Sequence, residues 1–388
     1  MLRVFRYRLY PTKGQDAALR ETTWRLRQLY NAALEERREA YRKQGVSLSG
    51  YAQMAEIKQL RLAAPEYGLI HVHLLQDVLT RLDRAYRAFF RRIKAGEKPG
   101  FPRFKGRGRY RTFTFKDAKN RNGVRLVAGG KRLDLTGIGK VKIKLHRPIA
   151  GTVKQVSVTL SGDGHWYAAF ACDGVPAAPL PQTGETVGID LGITTFAALS
   201  KGNPVDNPRP YEAALRGLRT AQRRVSRRRR GSVRRRKAVV LLAKRHDKVR
   251  CVRRDFHHKV ALDLVRRFDT IFVEDLNVKG LARSFLAKQV HDAAWSSFMY
   301  IIRAKAESAG REVVAVDPRG TSQQCSGCGA EVPKSLSERV HRCPECGLVE
   351  DRDVNAAKNI EWRGQRLRGG VSSGRPNEPR SPDLGEAR

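Results

Sequence analysis

Apolar and polar positions along the chain change period twice. Over residues 1–10, Leu2, Val4 and Phe5 stand among basic residues and predict a short strand. Pro11-Thr12 then opens a helical stretch in which Leu19, Leu26, Tyr30, Ala33 and Tyr41 recur at near-helical spacing, with Arg and Glu between them. A second helical stretch is predicted over about residues 51–64. A third covers about 72–94, with Leu75, Val78, Leu79, Leu82, Tyr86, Phe89 and Phe90 as its apolar face. Residues 13–95 therefore read as a small helical bundle.

Residues 98–111 break that period with Gly and Pro, and aromatics alternate with bases. From there to about residue 173 the period is two. Lys140-Val141-Lys142-Ile143-Lys144-Leu145 predicts a strand with one wet basic face and one buried face. Val156, Val158 and Leu160 follow, then a turn at Ser161-Gly162-Asp163-Gly164 and a strand over 166–172. The prediction is an antiparallel unit closing into a small barrel, followed by a Pro- and Ala-rich linker at 176–181. Residues 184–363 form the last large unit: strands at 187–190 and 195–199, one long helix over 211–268, a strand at 271–275, a helix near 290–309, a strand at 313–316, a cysteine-rich segment, and a helix from about 354. Leu242, Val249, Val252, Phe256, Val260 and Leu264 give the long helix a buried stripe. Beyond residue 363 the chain reads as a flexible tail.

Composition narrows the function classes. The 388 residues carry 77 Lys and Arg against 38 Asp and Glu, a net charge of +39. A chain repelling itself this strongly is expected to reside with a polyanion, nucleic acid before acidic protein or lipid. A preference for Arg over Lys would not make bases outnumber acids two to one. At 40% hydrophobic residues the chain is no protamine-like tail. No apolar run approaches a bilayer span, and the N-terminus lacks the apolar core of a secretory signal. A bacterial, cytoplasmic, nucleoid-associated protein without membrane partners is expected.

Four of the six cysteines sit as Cys325-x2-Cys328 and Cys343-x2-Cys346, and Cys172 and Cys251 lie far away. This is not the spacing of a secreted disulfide scaffold. The 14 residues between the pairs suffice for a hairpin that gathers four sulfurs into a tetrahedron, which suits one structural Zn²⁺. Cys328-Gly329 and Cys346-Gly347 allow each knuckle a positive φ. An iron site or a redox dithiol is the competing reading. The surrounding segment, with four bases and four acids over 319–350, is no basic clamp.

Three carboxylates stand at particular places. Asp190 closes the strand Thr186-Val187-Gly188-Ile189-Asp190, Glu274 ends Ile271-Phe272-Val273-Glu274, and Asp353 opens a late helix in Asp351-Arg352-Asp353-Val354-Asn355. Asp353 alone could be an ordinary helix cap. Asp190 and Glu274 end strands apolar on both faces, where two acids repel and are costly to desolvate unless a cation joins them. Three hard oxygen donors in a strongly basic protein point to paired Mg²⁺ or Mn²⁺ acting on a phosphodiester.

These motifs carry a resemblance. Gly188-Ile189-Asp190-Leu191-Gly192, Val273-Glu274-Asp275-Leu276, the cysteine pairs after Ser322-Gln323, and Asp351-Arg352-Asp353-Val354-Asn355-Ala356-Ala357-Lys358-Asn359-Ile360 resemble the RuvC-type, ribonuclease H-like nuclease of the TnpB family, transposon-encoded relatives of type V CRISPR effectors. Arg8-Leu9-Tyr10-Pro11-Thr12 and Gly100-Phe101-Pro102-Arg103-Phe104-Lys105 extend the match over nearly the whole chain. The resemblance implies an RNA-guided DNA endonuclease that binds a guide RNA from the transposon end, reads a short motif beside its double-stranded DNA target, and cuts both strands at one site. The catalytic acids then fall on Asp190, Glu274 and Asp353, holding two Mg²⁺ or Mn²⁺. Asp351, two residues away, stays open as ligand or partner.

The expected fold is multidomain α+β and α/β: a first barrel strand at 1–12, a helical recognition domain at 13–95, a wedge β-barrel at 96–183, a RuvC-like nuclease at 184–318 and 351–363 with an inserted zinc ribbon at 319–350, and a tail at 364–388. A monomer with one RNA is expected. For RNA or heteroduplex contact the candidates are Arg227, Arg228, Arg229, Arg230, Arg234, Arg235, Arg236 and Lys237, eight bases in eleven residues. Residues 211–254 around them carry a net +16. Phe101, Phe104 and Tyr110 could stack on bases or fill the barrel edge, with Arg103 and Lys105 beside them. Tyr51 and Gln76 sit where the family reads its target-adjacent motif. His257 and His258 are expected to pack or touch phosphate. The alternatives are a guide-bound repressor without cleavage, against which the three intact acids argue, and a ribonuclease H-like transposase, which copurifying RNA would separate. A standalone CRISPR effector differs only in its neighbouring genome.

Overall fold

β1 (Arg3–Tyr10) buries Phe5, Tyr7 and Leu9 and leaves the positions between them wetter, the signature of a half-buried strand. Thr12 then starts α1 (Lys13–Gln44). Its hydroxyl accepts from the Gln15 amide while its own amide donates to Gln15 Oε1, a reciprocal cap. Gly45, at φ 68°, ends the helix. The structure is a computed structural model that describes residues 1–118, 120–335 and 337–369 and divides into two units, Met1–Pro176 and Ala177–Arg388.

In the first unit α2 (Gly50–Ala55), α3 (Ile57–Ala63) and α4 (Pro65–Gly68) lead to α5 (Val72–Lys94), the third predicted helix. Leu19, Leu26 and Leu34 of α1 share a core with Leu75, Val78, Leu79 and Leu82 of α5. Tyr41 and Phe90 are exposed, because both helices run past that core. The strands β2 (Thr112–Phe115), β3 (Val124–Val127), β4 (Arg132–Leu135), β5 (Gly139–Lys144), β6 (Thr152–Leu160) and β7 (Trp166–Asp173) join β1 in a seven-stranded antiparallel sheet, ordered β2-β6-β7-β1-β5-β4-β3. β1 is central, so the helices are an insertion after the first strand. The sheet is nearly closed: a Cβ on Gly123, just before β3, would stand 2.9 Å from the Phe115 ring of β2 at the other edge. Val141 and Ile143 are buried between wet lysines, as the alternation predicts.

The second unit is built on a five-stranded sheet of β8 (Thr186–Asp190), β9 (Thr195–Leu199), β10 (Val205–Asp206), β11 (Thr270–Glu274) and β12 (Glu312–Val316), ordered β10-β9-β8-β11-β12. β8, β11 and β12 are parallel, and β9 is antiparallel to both its neighbours. α6 (Pro210–Ser226) and α7 (Val233–Arg267) connect β10 to β11; α8 (Val278–Leu281), α9 (Ala287–Ala293) and α10 (Trp295–Ala309) make the crossover to β12. The hairpin of β13 (Val340–Arg342) and β14 (Val349–Asp351) belongs to the cysteine segment, and α11 (Arg352–Leu367) follows. No described helix is long and apolar enough to cross a membrane.

Several expectations need correction. The helix predicted over 211–268 is two helices. Gly231, at φ 83°, turns the chain, and Ser232 caps α7 by accepting from the Arg235 amide. Arg228, Arg229 and Arg230 therefore lie in a turn and not on a helix face. Val252 is exposed, while the buried stripe passes through Val249, His257, Ala261 and Leu264. The helix near 290–309 is broken at Ala294, at φ 50°. Within the linker, Ala178 and Leu180 donate to the Ser308 and Ala309 carbonyls, so these residues are held against the end of α10. α11 continues to Leu367, four residues into the expected tail, and residues 370–388 lie outside the described residues.

Candidate active site

β8 and β11 run parallel and in register from Thr186 beside Thr270 to Ile189 beside Val273. Asp190 and Glu274 are the next residues on each strand, so both carboxylates leave the same end of the sheet. The strand residues before them are buried.

α11 brings the third acid, and two glycines allow its approach. A Cβ on Gly188 would stand 2.0 Å from the Ala357 carbonyl oxygen and 2.6 Å from the Glu361 nitrogen. A Cβ on Gly364 would stand 1.9 Å from the Phe272 ring. The helix therefore lies directly on β8 and β11. Its cap is Asp351, whose Oδ1 accepts from the amides of Asp353 at 2.8 Å and Val354 at 3.1 Å. Asp353 is thus not the capping acid. Its Oδ2 lies 4.0 Å from where a Cβ on Gly192 would be, two residues past Asp190, and 3.8 Å from the Arg339 guanidinium.

Burial, then the neighbouring Glu274 and Asp353, push the Asp190 carboxyl up to about 8, against a partial offset from Arg352. Burial also raises Glu274, against the Thr321 hydroxyl and Arg363. Asp353 is raised by burial and by Asp351, with Arg339 and Arg352 opposing. Burial and mutual repulsion thus disfavour the ionised forms of these acids in the absence of a cation. Hard carboxylate oxygens in that state are suited to a divalent cation of the Mg²⁺ or Mn²⁺ kind.

Sequence reasoning missed the polar groups behind these acids. The Thr321 hydroxyl lies 2.5 Å from Glu274 Oε1 and 3.0 Å from the Pro318 carbonyl. Asn359 Nδ2 donates to the carbonyls of Thr321 and Gln324, and Asn355 joins the Ser326 amide to the Gln324 carbonyl. Arg363 Nη2 donates to Gln324 Oε1. The available signal was the spacing of Asn355, Asn359 and Arg363, one polar row at i, i+4, i+8 beside the apolar Ala356 and Ile360.

The four cysteines converge as predicted, with all four Sγ atoms within 4.8 Å of one another. Cys325 and Cys346 are 3.6 Å apart, as are Cys328 and Cys343. A disulfide needs about 2 Å. A tetrahedron with Zn–S arms of about 2.3 Å has edges of about 3.8 Å. The two knuckles repeat one geometry: Cys325 and Cys343 amides donate to Ala330 and Leu348 carbonyls, and Gly329 and Gly347 amides donate back to Cys325 and Cys343. Gly329 and Gly347 both have positive φ. This geometry is compatible with one structural zinc.

Among the nucleic-acid candidates, Arg227, Arg228, Arg229, Arg230, Arg234, Arg235, Arg236 and Lys237 are exposed or half-exposed. None of the eight pairs with an acid within 4 Å among the described residues. Three of them, Arg234, Arg235 and Arg236, occupy the first turn of α7, where the helix dipole disfavours positive charge. Phe101 and Phe104 remain partly exposed, the first edge-on to Tyr86 and Phe89, the second under Arg38. Arg103 is exposed, and the Lys105 backbone is fastened to Asn31 at both its amide and its carbonyl. Tyr110 is buried beside Tyr30 and is core. Tyr51 is exposed on α2, and Gln76 lines a groove of about 470 Å³ with Lys58 and Arg61. His257 is packed among Phe196, Phe256 and Phe298.

Comparison with known proteins gives three family models, described as "Probable transposase" over residues 157–284, "Cas12f1-like, TNB domain" over 295–360 and "Helix-turn-helix domain" over 1–45. The last span holds β1 and the single long helix α1. A protein of Streptomyces pristinaespiralis named "Putative RNA-guided DNA endonuclease" is 34% identical over 92% of this chain and 88% of its own length. The InsQ protein of Escherichia coli K12, which carries the same description, is 28% identical over 97% and 96%. A TnpB-like protein of Acanthamoeba polyphaga mimivirus is 26% identical over 56% of this chain and 45% of its own. Among solved structures, a Cas12f1-sgRNA-target DNA complex superposes with a TM-score of 0.56 at 13% identity, covering 89% of this chain and 83% of that one, and shares the fold. On identity spread over nearly its whole length, the chain belongs to the TnpB family, whose relatives carry the name RNA-guided DNA endonuclease.

Proposed function

We propose that this chain is an RNA-guided DNA endonuclease of a transposon, acting as a monomer with one guide RNA on double-stranded target DNA. The observation that supports it most is the placement of Asp190 and Glu274 at the same end of two parallel strands in register, with α11 laid on those strands and Asp353 in its first turn near enough to raise the Asp190 carboxyl; among the described residues the four cysteines alone form a tight ligand cluster. The second unit reads as a ribonuclease H-like nuclease of the RuvC type: its strand order, counted within the unit, is 3-2-1-4-5 with the second strand antiparallel.

In this reading the three acids hold two Mg²⁺ or Mn²⁺ ions. Bound there, the ions supply activation of water and neutralisation of charge on the leaving 3′ oxygen. The chain's own residues do the rest. Register between β8 and β11 sets the spacing of two donors. Capping by Asp351 fixes the first turn of α11 and so the direction of Asp353. Partial burial lowers the solvation of the carboxylates and strengthens their pull on a cation. The unpaired cations 227–230 and 234–237 offer contacts to phosphate, and Phe101 and Phe104 offer stacking faces. Tyr51, Gln76, Arg103 and Lys105 are assigned to target or guide contact. Sequence choice is delegated to base pairing with the guide, as in other guided effectors.

The description of one family model favours a second reading, a transposase, which also uses three acids on this fold. Purification from the host followed by RNA sequencing, then incubation with a guide-matched plasmid and Mg²⁺, tests both. A discrete copurifying RNA and guide-dependent cutting support the nuclease. RNA-independent strand transfer would replace it with the transposase.

A further inference from the structure

Glu274 is the only one of the three acids whose carboxylate meets a hydroxyl at hydrogen-bonding distance among the described residues. Thr321 Oγ1 stands 2.5 Å from Glu274 Oε1, and the Thr321 side chain is almost fully buried. A hydroxyl has one proton to give. The Pro318 carbonyl, at 3.0 Å, is the alternative acceptor, so the proton goes to Glu274 when that carboxylate is ionised. That bond occupies Oε1, fixes the rotamer, and leaves Oε2 free.

Thr321 is itself fastened. It immediately precedes the first cysteine knuckle, and Asn359 Nδ2 holds its carbonyl at 2.8 Å. Asn359 also holds the Gln324 carbonyl at 2.7 Å, one residue before Cys325. Asn355, one turn earlier on α11, accepts from the Ser326 amide at 2.8 Å and donates to the same Gln324 carbonyl at 2.8 Å. Both asparagines are fully buried, where an amide without partners is costly. Arg363 extends the row to Gln324 Oε1 and to the carbonyls of Asp317 and Arg319. One face of the helix that carries Asp353 thus grips the start of the four-cysteine ribbon, and the gripped segment holds Glu274.

We propose that Thr321 is a positioning residue for Glu274, and that Asn355, Asn359 and Arg363 tie it to α11, so that the ribbon sets the cation affinity of the carboxylate site. This rests on the reading of Asp190, Glu274 and Asp353 as cation ligands. The ribbon then has a role in the nuclease site in addition to any contact with nucleic acid. A ribbon that only folded as an independent module would not require two buried asparagines aimed at its entry segment.

The test is Mn²⁺ binding by the full-length protein with its guide, followed by electron paramagnetic resonance of the free ion. The Asp190→Ala complex supplies the baseline for Mn²⁺ on the RNA. Thr321→Val keeps the shape and removes the hydroxyl; Thr321→Ser keeps the hydroxyl. Thr321→Val should retain zinc and guide binding, yet need about tenfold more Mn²⁺ for half-saturation, the scale of one missing bond to a charged group. Thr321→Ser should return to within about twofold of the parent. Asn359→Ala should weaken Mn²⁺ binding in the same direction with zinc still bound. If Thr321→Val binds Mn²⁺ like the parent while Asp190→Ala loses the site, the positioning role is wrong and the cation site stands. If Asp190→Ala binds like the parent, the cation site and this inference fail together.

Discussion

Asp190 and Glu274 stand one step beyond the Ile189–Val273 pair, the last matched residues of two parallel strands. Two acids are thereby set side by side at one end of the sheet. α11 closes the arrangement because Gly188 and Gly364 leave its backbone room.

That close approach is testable. Gly188→Ala puts a methyl 2.0 Å from the Ala357 carbonyl, which is backbone and cannot swing aside. The substitution should destabilise the protein by about 1–3 kcal/mol and lower its Tm. It should also reduce cleavage, since the shifted helix carries Asp353. A Gly188→Ala variant with the parent's Tm and rate would mean that α11 does not rest on β8 as described.

The cysteine cluster predicts about one zinc per chain on elemental analysis, the stoichiometry of a single four-sulfur site. Cys343→Ser should lower zinc content and thermal stability together. Full zinc retention with unchanged melting would count against a four-thiolate site.

The basic turn and the start of α7 predict a salt effect. Replacing Arg227, Arg228, Arg229 and Arg230 by Gln should weaken RNA binding and flatten its dependence on log salt by ~0.7–0.9 for each phosphate no longer neutralised. An unchanged slope would show that the run faces only solvent.

His257 predicts a pH effect on stability. The ring is fully buried, and its Nε2 donates to the Ala293 carbonyl at 3.0 Å. Burial, with Arg253 and His258 nearby, pushes it down to about 4. Its ordinary value is about 6.5. The folded state therefore favours neutral imidazole. Its contribution is complete above about 6.5 and is lost as pH falls toward about 4, at most about 3 kcal/mol. His257→Gln keeps a donor for Ala293 and does not titrate. Urea unfolding at several pH values should show a shallower acid loss in that variant; parallel profiles would remove His257 as a cause.

Much of the architecture was readable because the apolar period changes sharply. Alternation located four of the seven strands of the first sheet, while the short β2, β3 and β4 passed unnamed, and α5 came out at residues 72–94. The placement of Asp190 and Glu274 at strand ends was readable because charge at the end of a doubly apolar strand is conspicuous. The long helix over 211–268 misled because its basic character continues through residues 227–237, although Gly231-Ser232 is a stop followed by a cap. Tyr110 looked like the exposed aromatics beside it, and only packing against Tyr30 tells them apart. Asp351 and Asp353 could not be separated by composition, since either can cap a helix. Thr321 was illegible because its partner, Glu274, lies 47 residues away and meets it only through the fold.

The most direct measurement is cleavage of a supercoiled plasmid bearing a guide-matched site, with Mg²⁺ and the copurified RNA, by the parent chain and by Asp190→Ala, Asp353→Ala and Asp351→Ala. One set of acids serving both strands predicts that Asp190→Ala and Asp353→Ala still bind guide and target but cut neither strand. Asp351→Ala, which loses a helix cap, should keep more activity than Asp353→Ala. Cutting by Asp190→Ala at the parent's rate would contradict the assignment of these three carboxylates to the chemistry.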